Sequence, residues 1–260
     1  MTWALKRQLF YLVIFLGAFG VFIFFVIFPY LNIEPSCTDG RRNGAETGVD
    51  CGGLCSRACI DDIAPVSILW SRAFRVVDGR YNAVAYIENH NKNKAVRKIN
   101  YRFRFADANN VYIGMREGHT VIPPSGNFAV FEPAVGLGYS IPVYTTFEFT
   151  EVPFWSQVSE DTGSQVKVLV SDIKLEGEDT APRLSATIKN NSLLAIPEVD
   201  LVAILYDELG NAISISQTYV EVLAGEEVRE VTFTWPEKFS GKVLSTEIIP
   251  MFDVFGARLK

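Results

Sequence analysis

Histidine is scarce in this chain. His90 and His119 are the only two in 260 residues, and no cysteine lies outside positions 37 to 59. The shortage removes most histidine-based chemistry. There is no H-E-x-x-H helix, no G-x-S-x-G elbow and no glycine loop closing on a phosphate-binding lysine, so the common hydrolase, metalloprotease and nucleotide signatures are missing. His90 stands in Asn89-His90-Asn91-Lys92 and His119 follows Glu117-Gly118; both read as surface turn residues. No nucleophile–histidine–acid triad is proposed by the sequence, and the expectation is a protein that is not an enzyme. Positive charge is also short: 24 Lys and Arg face 30 Asp and Glu, a net charge of −6. Affinity for nucleic acid rests on neutralising phosphates, so no nucleic-acid role is expected.

Charge of either sign is absent from Phe10 to Phe28, FYLVIFLGAFGVFIFFVIF. At about 1.5 Å rise per residue such a helix covers the roughly 30 Å hydrocarbon core of a bilayer. A run this long with no polar face has no solvent side. The rival is a cleaved signal peptide, whose apolar region is usually about 7–15 residues before a small-residue cleavage site. Here the run is longer and exits through Pro29-Tyr30-Leu31-Asn32. Lys6 and Arg7 precede it, and Glu34 is the first charge after it. The positive-inside rule therefore gives a cytoplasmic stub at 1–9, a transmembrane signal anchor at 10–31, and extracytoplasmic domains beyond. The expected localisation is the cell membrane, single-pass, with the N-terminus cytoplasmic.

All four cysteines, Cys37, Cys51, Cys55 and Cys59, fall in the polar segment 32–62. Outside a membrane the compartment is oxidising, and an even count reads as disulfides. Four cysteines allow three pairings, and spacing does not choose among them. So small a segment needs staples because it cannot bury a core. The alternative use of four thiolates is zinc, against which stands the lack of a C-x-x-C pair. Asp39, Asn43, Glu46 and Asp50 are hard oxygen donors in a Gly-rich loop, a composition that suits calcium and equally suits a solvated turn. The run Cys37, Asp39, Gly40, Asn43, Gly44, Glu46, Thr47, Val49, Asp50, Cys51, Gly52, Gly53, Cys55 resembles a cysteine motif of secreted bacterial surface proteins, C-x-D-G-x-x-N-G-x-E-T-x-V-D-C-G-G-x-C. Cys59 departs from it. The resemblance implies an exported bacterial protein with a small disulfide knot and names no activity.

From residue 63 onward, aromatic and β-branched residues alternate in short runs between Gly, Pro, Asn and Asp, which predicts an all-β fold. The pattern occurs twice. Ile87-Glu88-Asn89 matches Ile188-Lys189-Asn190, and Val96 to Asp107 matches Ile196 to Asp207; Ile113 pairs with Ile213, Thr120 with Thr218 and Gly126 with Gly225. Two tandem Ig-like β-sandwiches are expected, at 63–156 and 165–260, with a polar linker at 157–164. The second copy resembles the FxLYD-type domain of bacterial envelope proteins through Ala186 to Ser192, Val199 to Gly210 and Leu223-Ala224-Gly225-Glu226 before Phe233. The first resembles a diverged sibling. A plant-type water-stress sandwich is the further resemblance. These resemblances imply a fold and no activity.

Two surface features are singled out. Residues 61–155 carry ten basic against nine acidic side chains and 156–260 nine against seventeen, so the first sandwich is near neutral and the second strongly acidic. Alternation places Lys98, Arg102 and Arg104 on the outward face of one strand. That is a basic stripe for an anionic polymer or headgroup, or a solvated strand whose charges suppress edge pairing. Leu201 to Tyr206 is apolar on both phases, so Val202, Ile204 and Tyr206 need cover opposite Leu201, Ala203 and Leu205. The expected cover is the C-terminal segment around Ile248 to Phe252 or a partner subunit. The function expected is non-catalytic binding or scaffolding among envelope proteins or polysaccharide. An adhesin-like module recognising glycan or another cell is the alternative, and an unrecognised envelope enzyme is a second.

Overall fold

The computed structural model describes residues 3–31, 36–159 and 166–258. By compactness the chain divides into Met1–Leu54 and Cys55–Lys260. In the first unit a single helix, α1 (Trp3–Leu31), carries the apolar run. It starts seven residues before Phe10 and passes Pro29 within its last turn. From Trp3 to Ile27 it is long and apolar enough to cross a membrane, and none of it is buried against protein. The rest of this unit is the cysteine segment, built of turns.

The second unit is all-β. The strands are β1 (Ser67–Val77), β2 (Arg80–Asn89), β3 (Lys94–Ala106), β4 (Tyr112–Ile122), β5 (Gly126–Gly136), β6 (Tyr144–Phe149), β7 (Ser156–Gln157), β8 (Val168–Glu176), β9 (Arg183–Asn190), β10 (Ile196–Tyr206), β11 (Ala212–Leu223), β12 (Val228–Thr234) and β13 (Ser245–Met251). Antiparallel pairing gives sheets β1-β2-β5 and β4-β3-β6 in the first half, and β8-β9-β12 and β11-β10-β13 in the second. The two halves have the same topology. In β3 the alternation read from sequence holds: Tyr101, Phe103 and Phe105 are buried while Arg104 is exposed and Arg102 half-buried. Phe103 packs edge-on against Phe147 from β6, with centroids 5.0 Å apart.

The repeat has a mechanical basis in two polar residues per copy. Asn89 and Asn190 are fully buried at the ends of β2 and β9. Asn89 donates to the carbonyls of Lys94 and Pro123 and accepts from Asn91. Asn190 donates to Leu194, Leu223 and Ala224 and accepts from Ser192. Each side chain thus satisfies a turn that no strand can satisfy. Asp107 and Asp207 close the next hairpins alike, each accepting from backbone N–H groups two and four residues on. The two halves diverge from the sequence alignment at two places. Gly126 lies opposite Asn89, and Val228, one step past Glu227, lies opposite Lys189. Glu227, which accepts from the Asn190 N–H, is therefore the counterpart of Gly126, two positions beyond Gly225. Thr120 faces Ile99 as Val220 faces Val199, so its counterpart is Val220 rather than Thr218.

Pairing registers also fix which faces meet. Val202, Ile204 and Tyr206 share a face with Ile215, Ile249 and Met251. This face belongs to the same apolar cluster as Phe74, Val84, Tyr86 and Ala129, with Trp70 and Phe131 at its margin. The opposite face, Leu201, Ala203 and Leu205, builds the core of the second sandwich with Leu184, Ile188 and Phe233. The cover over Val202 and Ile204 is therefore the β1-β2-β5 sheet of the first sandwich. The segment around Ile248 lies beside β10 as β13, in the plane of the sheet. Because a fully buried Val or Ile contributes about 1.5–3 kcal/mol, this face joins the halves firmly. Polar pins frame it: Arg72 Nη1 donates to the Ala212 carbonyl at 2.9 Å, and Arg75 pairs with Glu237 at 2.9 Å.

The expected linker at 157–164 is only partly a linker. Gln157 is in β7, paired with Lys94, and Val158 is buried in the second core. Residues 160–164 lie outside the described residues. At the other boundary, Cys55 to Cys59 already belong with the sandwich. Ala58 N donates to the Trp155 carbonyl, Gln157 N to Ser56, and Ala58 is buried in the first core.

Candidate functional site

The four cysteines are all in disulfides, so the thiolates that zinc requires are not available. Around Cys37 and Cys51 the acids are occupied by backbone. Both oxygens of Asp50 accept from Gly40 N at 2.9 and 3.1 Å. Asp39 accepts from Arg41 N and from Asn43 Nδ2, and the Asn43 hydrogen bond holds its pKa below the usual value. Glu46 accepts from Asn43 N at 3.2 Å. Of the four residues read as calcium ligands, Asp39 and Glu46 meet at Asn43 while Asp50 holds Gly40 instead, and they act first as caps for a segment without sheet or helix. The exception is Asn43 Oδ1, a buried acceptor with no partner among the described residues. Glycine is required at one point here: a Cβ on Gly53, at φ +58°, would lie 1.7 Å from the Ala45 carbonyl oxygen.

The basic stripe is present and internally paired. Arg102 lies between Glu117 on β4 and Glu148 on β6, at 2.6 and 3.4 Å, and Arg104 reaches Glu148 at 3.0 Å. Glu117 raises the Arg102 pKa. Both acids come from neighbouring strands, which is why the one-strand reading missed them. Lys98 stands apart from this lattice, beside Arg97.

His90 faces Glu88 through Nδ1 at 3.4 Å and Ser67 through Nε2, a serine–histidine–carboxylate order at the protein surface. His90 is in the β2–β3 turn as expected, sharing a 3.0 Å hydrogen bond with Ser67. His119 is not in a turn but within β4, because Gly118 is a strand residue there. Gly118 leaves room for Tyr101, whose hydroxyl would sit 2.5 Å from any Cβ. The Tyr101 hydroxyl donates to Glu132 at 2.8 Å, and burial pushes its pKa up. His119 lines a cleft of about 370 Å³ with Arg97, Lys98, Glu198, Asp200 and Asp253. Asp200 has a raised pKa there, chiefly from burial.

Two exposed apolar surfaces were not anticipated. One lies where the cysteine segment joins the first sandwich. The other lies at the far end of β3, where Tyr112, Ala106 and Tyr144 stand side by side on three strands. Tyr139, Ile141 and Val143 extend it and are all exposed. Tyr112 and Tyr144 stand at strand ends and Tyr139, Ile141 and Val143 in the loop before β6, where sequence carries no periodicity.

No known family matches the sequence, and no curated protein matches it. Among solved structures, red sea bream transglutaminase is similar at 9% identity and TM-score 0.21, over 72% of this chain and 30% of that one. A β-glucuronidase of glycoside hydrolase family 2 is similar at 11% identity and TM-score 0.21, over 84% and 29%. The chain spans under a third of each, and at these TM-scores the likenesses carry no argument.

Proposed function

We propose that this chain is a membrane-anchored, extracytoplasmic binding or scaffolding protein of a cell envelope, without catalytic activity. The supporting observation is the succession of an exposed apolar span, Trp3–Ile27 of α1, and a disulfide-bonded segment. Lys6 and Arg7, in α1 ahead of the uncharged run Phe10–Phe28, favour a cytoplasmic N-terminus, and disulfides belong to the oxidising side. The resemblances to the bacterial cysteine motif and to FxLYD-type, Ig-like domains agree with that placement. Protease added to intact, wall-stripped cells digests everything after about residue 31 on this reading; protection of the sandwiches reverses the orientation. Calcium remains a ligand to test at Asn43 Oδ1, through calcium-dependent resistance of the knot to proteolysis.

The row of exposed tyrosines, Tyr112 and Tyr144 across Ala106, favours a second reading, an adhesin-like module. Tyrosine joins an apolar ring to a polar tip, which suits glycan as well as protein. Membrane-impermeable crosslinking followed by identification of the captured species separates the two. Envelope subunits indicate scaffolding, and a glycan or foreign-cell ligand indicates adhesion.

A further inference from the structure

The ridge Val152-Pro153-Phe154-Trp155 separates two clefts. One, of about 350 Å³, is apolar and lined by Ile60, Ile63, Val66, Phe149, Val152 and Trp155. The other, of about 450 Å³, is lined by Arg97, Lys98, Phe154 and Phe255 with three polar residues. Among the described residues no carboxylate lines either cleft, although Arg97 and Lys98 also line the 370 Å³ cleft that holds Glu198, Asp200 and Asp253. Val152 is 87% exposed, Ile60 71% and Phe154 62%. The Arg57 guanidinium lies 5.7 Å from the Phe154 ring centroid, and that of Arg97 lies 4.4 Å from the Phe255 centroid. Large apolar side chains held in solvent on a short ridge, flanked by cations that form no ion pair among the described residues, have the composition of an interfacial surface.

The position of the ridge in the chain identifies the occupant. Cys55 to Val66 is the first stretch of the second unit, and only positions 32 to 54 join it to α1. A chain spans at most about 3.5 Å per residue, and two disulfides fold the stretch from 37 to 59. The tyrosine row lies at the other end of β3, whose thirteen residues extend about 40 Å at roughly 3.3 Å each. The ridge thus lies at the end of the sandwich where the chain enters from the α1 side of the sequence. The cations complement anionic headgroups.

We propose that the Val152–Trp155 ridge and its two clefts dock on the anionic bilayer in which the chain's own helix is anchored. Val152, Phe154 and Ile60 enter the headgroup boundary, while Arg57, Arg97 and Lys98 meet lipid phosphates. This rests on the membrane-anchored reading above. The test is hydrogen exchange by mass spectrometry on the full chain, in neutral detergent and in nanodiscs of phosphatidylcholine with or without phosphatidylglycerol. Amides of 150–155 and 60–66 are expected to slow by roughly tenfold in the anionic discs, while 109–112 at the other end stay unchanged. Val152→Asp with Phe154→Asp changes only exposed side chains and is expected to abolish the slowing; persistence of the slowing in that variant overturns the proposal. Unchanged exchange at 150–155 with Phe10–Phe28 protected in the discs overturns docking and leaves the anchor. Free exchange at Phe10–Phe28 overturns the anchor itself, and docking with it. Equal slowing in phosphatidylcholine alone overturns the assignment to anionic lipid. Slowing confined to native membrane vesicles assigns the ridge to a protein partner and overturns the lipid.

Discussion

Tyr86 donates its hydroxyl hydrogen to Oε1 of Glu247 at 2.9 Å, across the seam between the two sandwiches. Tyr206 donates to the other oxygen, also at 2.9 Å. One carboxylate on β13 therefore ties β2 of the first sandwich to β10 of the second, and Asn127 completes the set by donating to the Tyr86 oxygen. Hydrogen bonds to a charged group contribute about 1.5–3 kcal/mol each. Glu247→Ala should lower unfolding stability by about 2–4 kcal/mol, because two partly buried hydroxyls lose their acceptor. Urea unfolding followed by tryptophan fluorescence checks it, and an unchanged midpoint would show the clamp to be idle.

The same clamp sets the alkaline limit. Burial first, and the Glu247 hydrogen bond second, push the Tyr86 phenol up to about 12; Tyr206 is raised for the same reasons. Free tyrosine ionises near 10, so the folded protein holds these protons more tightly than the unfolded chain. Stability from this source is complete below about pH 10 and is lost as pH rises through about 12. Ultraviolet titration of tyrosinate should show exposed tyrosines ionising first and Tyr86, Tyr101 and Tyr206 only afterwards. Replacing Glu247 with Gln should bring that late step earlier.

Ile204→Lys would place a charge between the sandwiches, not in a core of the second sandwich alone. The cost is on the order of 3 kcal/mol or more. Because the seam joins both halves, wild type should unfold in one transition and the variant in two, seen by calorimetry. A single transition in the variant would mean that the halves do not depend on this face.

Asn89→Ala and Asn190→Ala should each cost about 2–4 kcal/mol, since each removes several hydrogen bonds and strands buried carbonyls. An exposed control, Asn109→Ala, should change stability by less than about 0.5 kcal/mol. Equal effects of all three would refute the pinning role.

Gly53→Ala should prevent the knot from closing, given the Ala45 carbonyl where the methyl would lie. Non-reducing mass spectrometry of the variant should find free thiols. An intact set of disulfides would show that the turn yields.

Much of this architecture was legible. Alternation in Tyr101 to Phe105 specified the inner and outer face of β3, and the Ile-x-Asn and Asp repeats marked equivalent turns. The alignment slipped where identity misled. At the last turn Ser125 (φ 59°) and Gly126 (φ 77°) are both left-handed in the first copy and Glu226 (φ 58°) in the second, so glycine did not mark the equivalent position. Gly225 has a different task, leaving space for the Leu193 carbonyl 2.3 Å from its would-be Cβ. The two-faced burial of β10 was readable, but its cover was not. The complementary residues Trp70, Val84, Tyr86 and Phe131 are spread over three strands whose adjacency only pairing reveals. The carboxylates neutralising Arg102 were hidden for the same reason. The ridge at Val152 to Trp155 has no period to read.

The seam is made by non-equivalent sheets: β1-β2-β5 of one copy meets β11-β10-β13 of the other, the counterpart of β4-β3-β6. Such a heterologous contact does not close on itself, and repeated it would generate a filament. At one terminus of the series the free face carries Arg102, Arg104, Glu117 and Glu148 where its counterpart carries Val202, Ile204 and Ile249. At the other it carries Thr187, Lys189, Glu230 and Thr232 where its counterpart carries Val84, Tyr86 and Phe131. The pair is a solenoid of two units, each also serving as an end cap. Its length is set by charge, so restoring apolar residues at Arg102 and Thr187 would convert a finite object into a polymerising one.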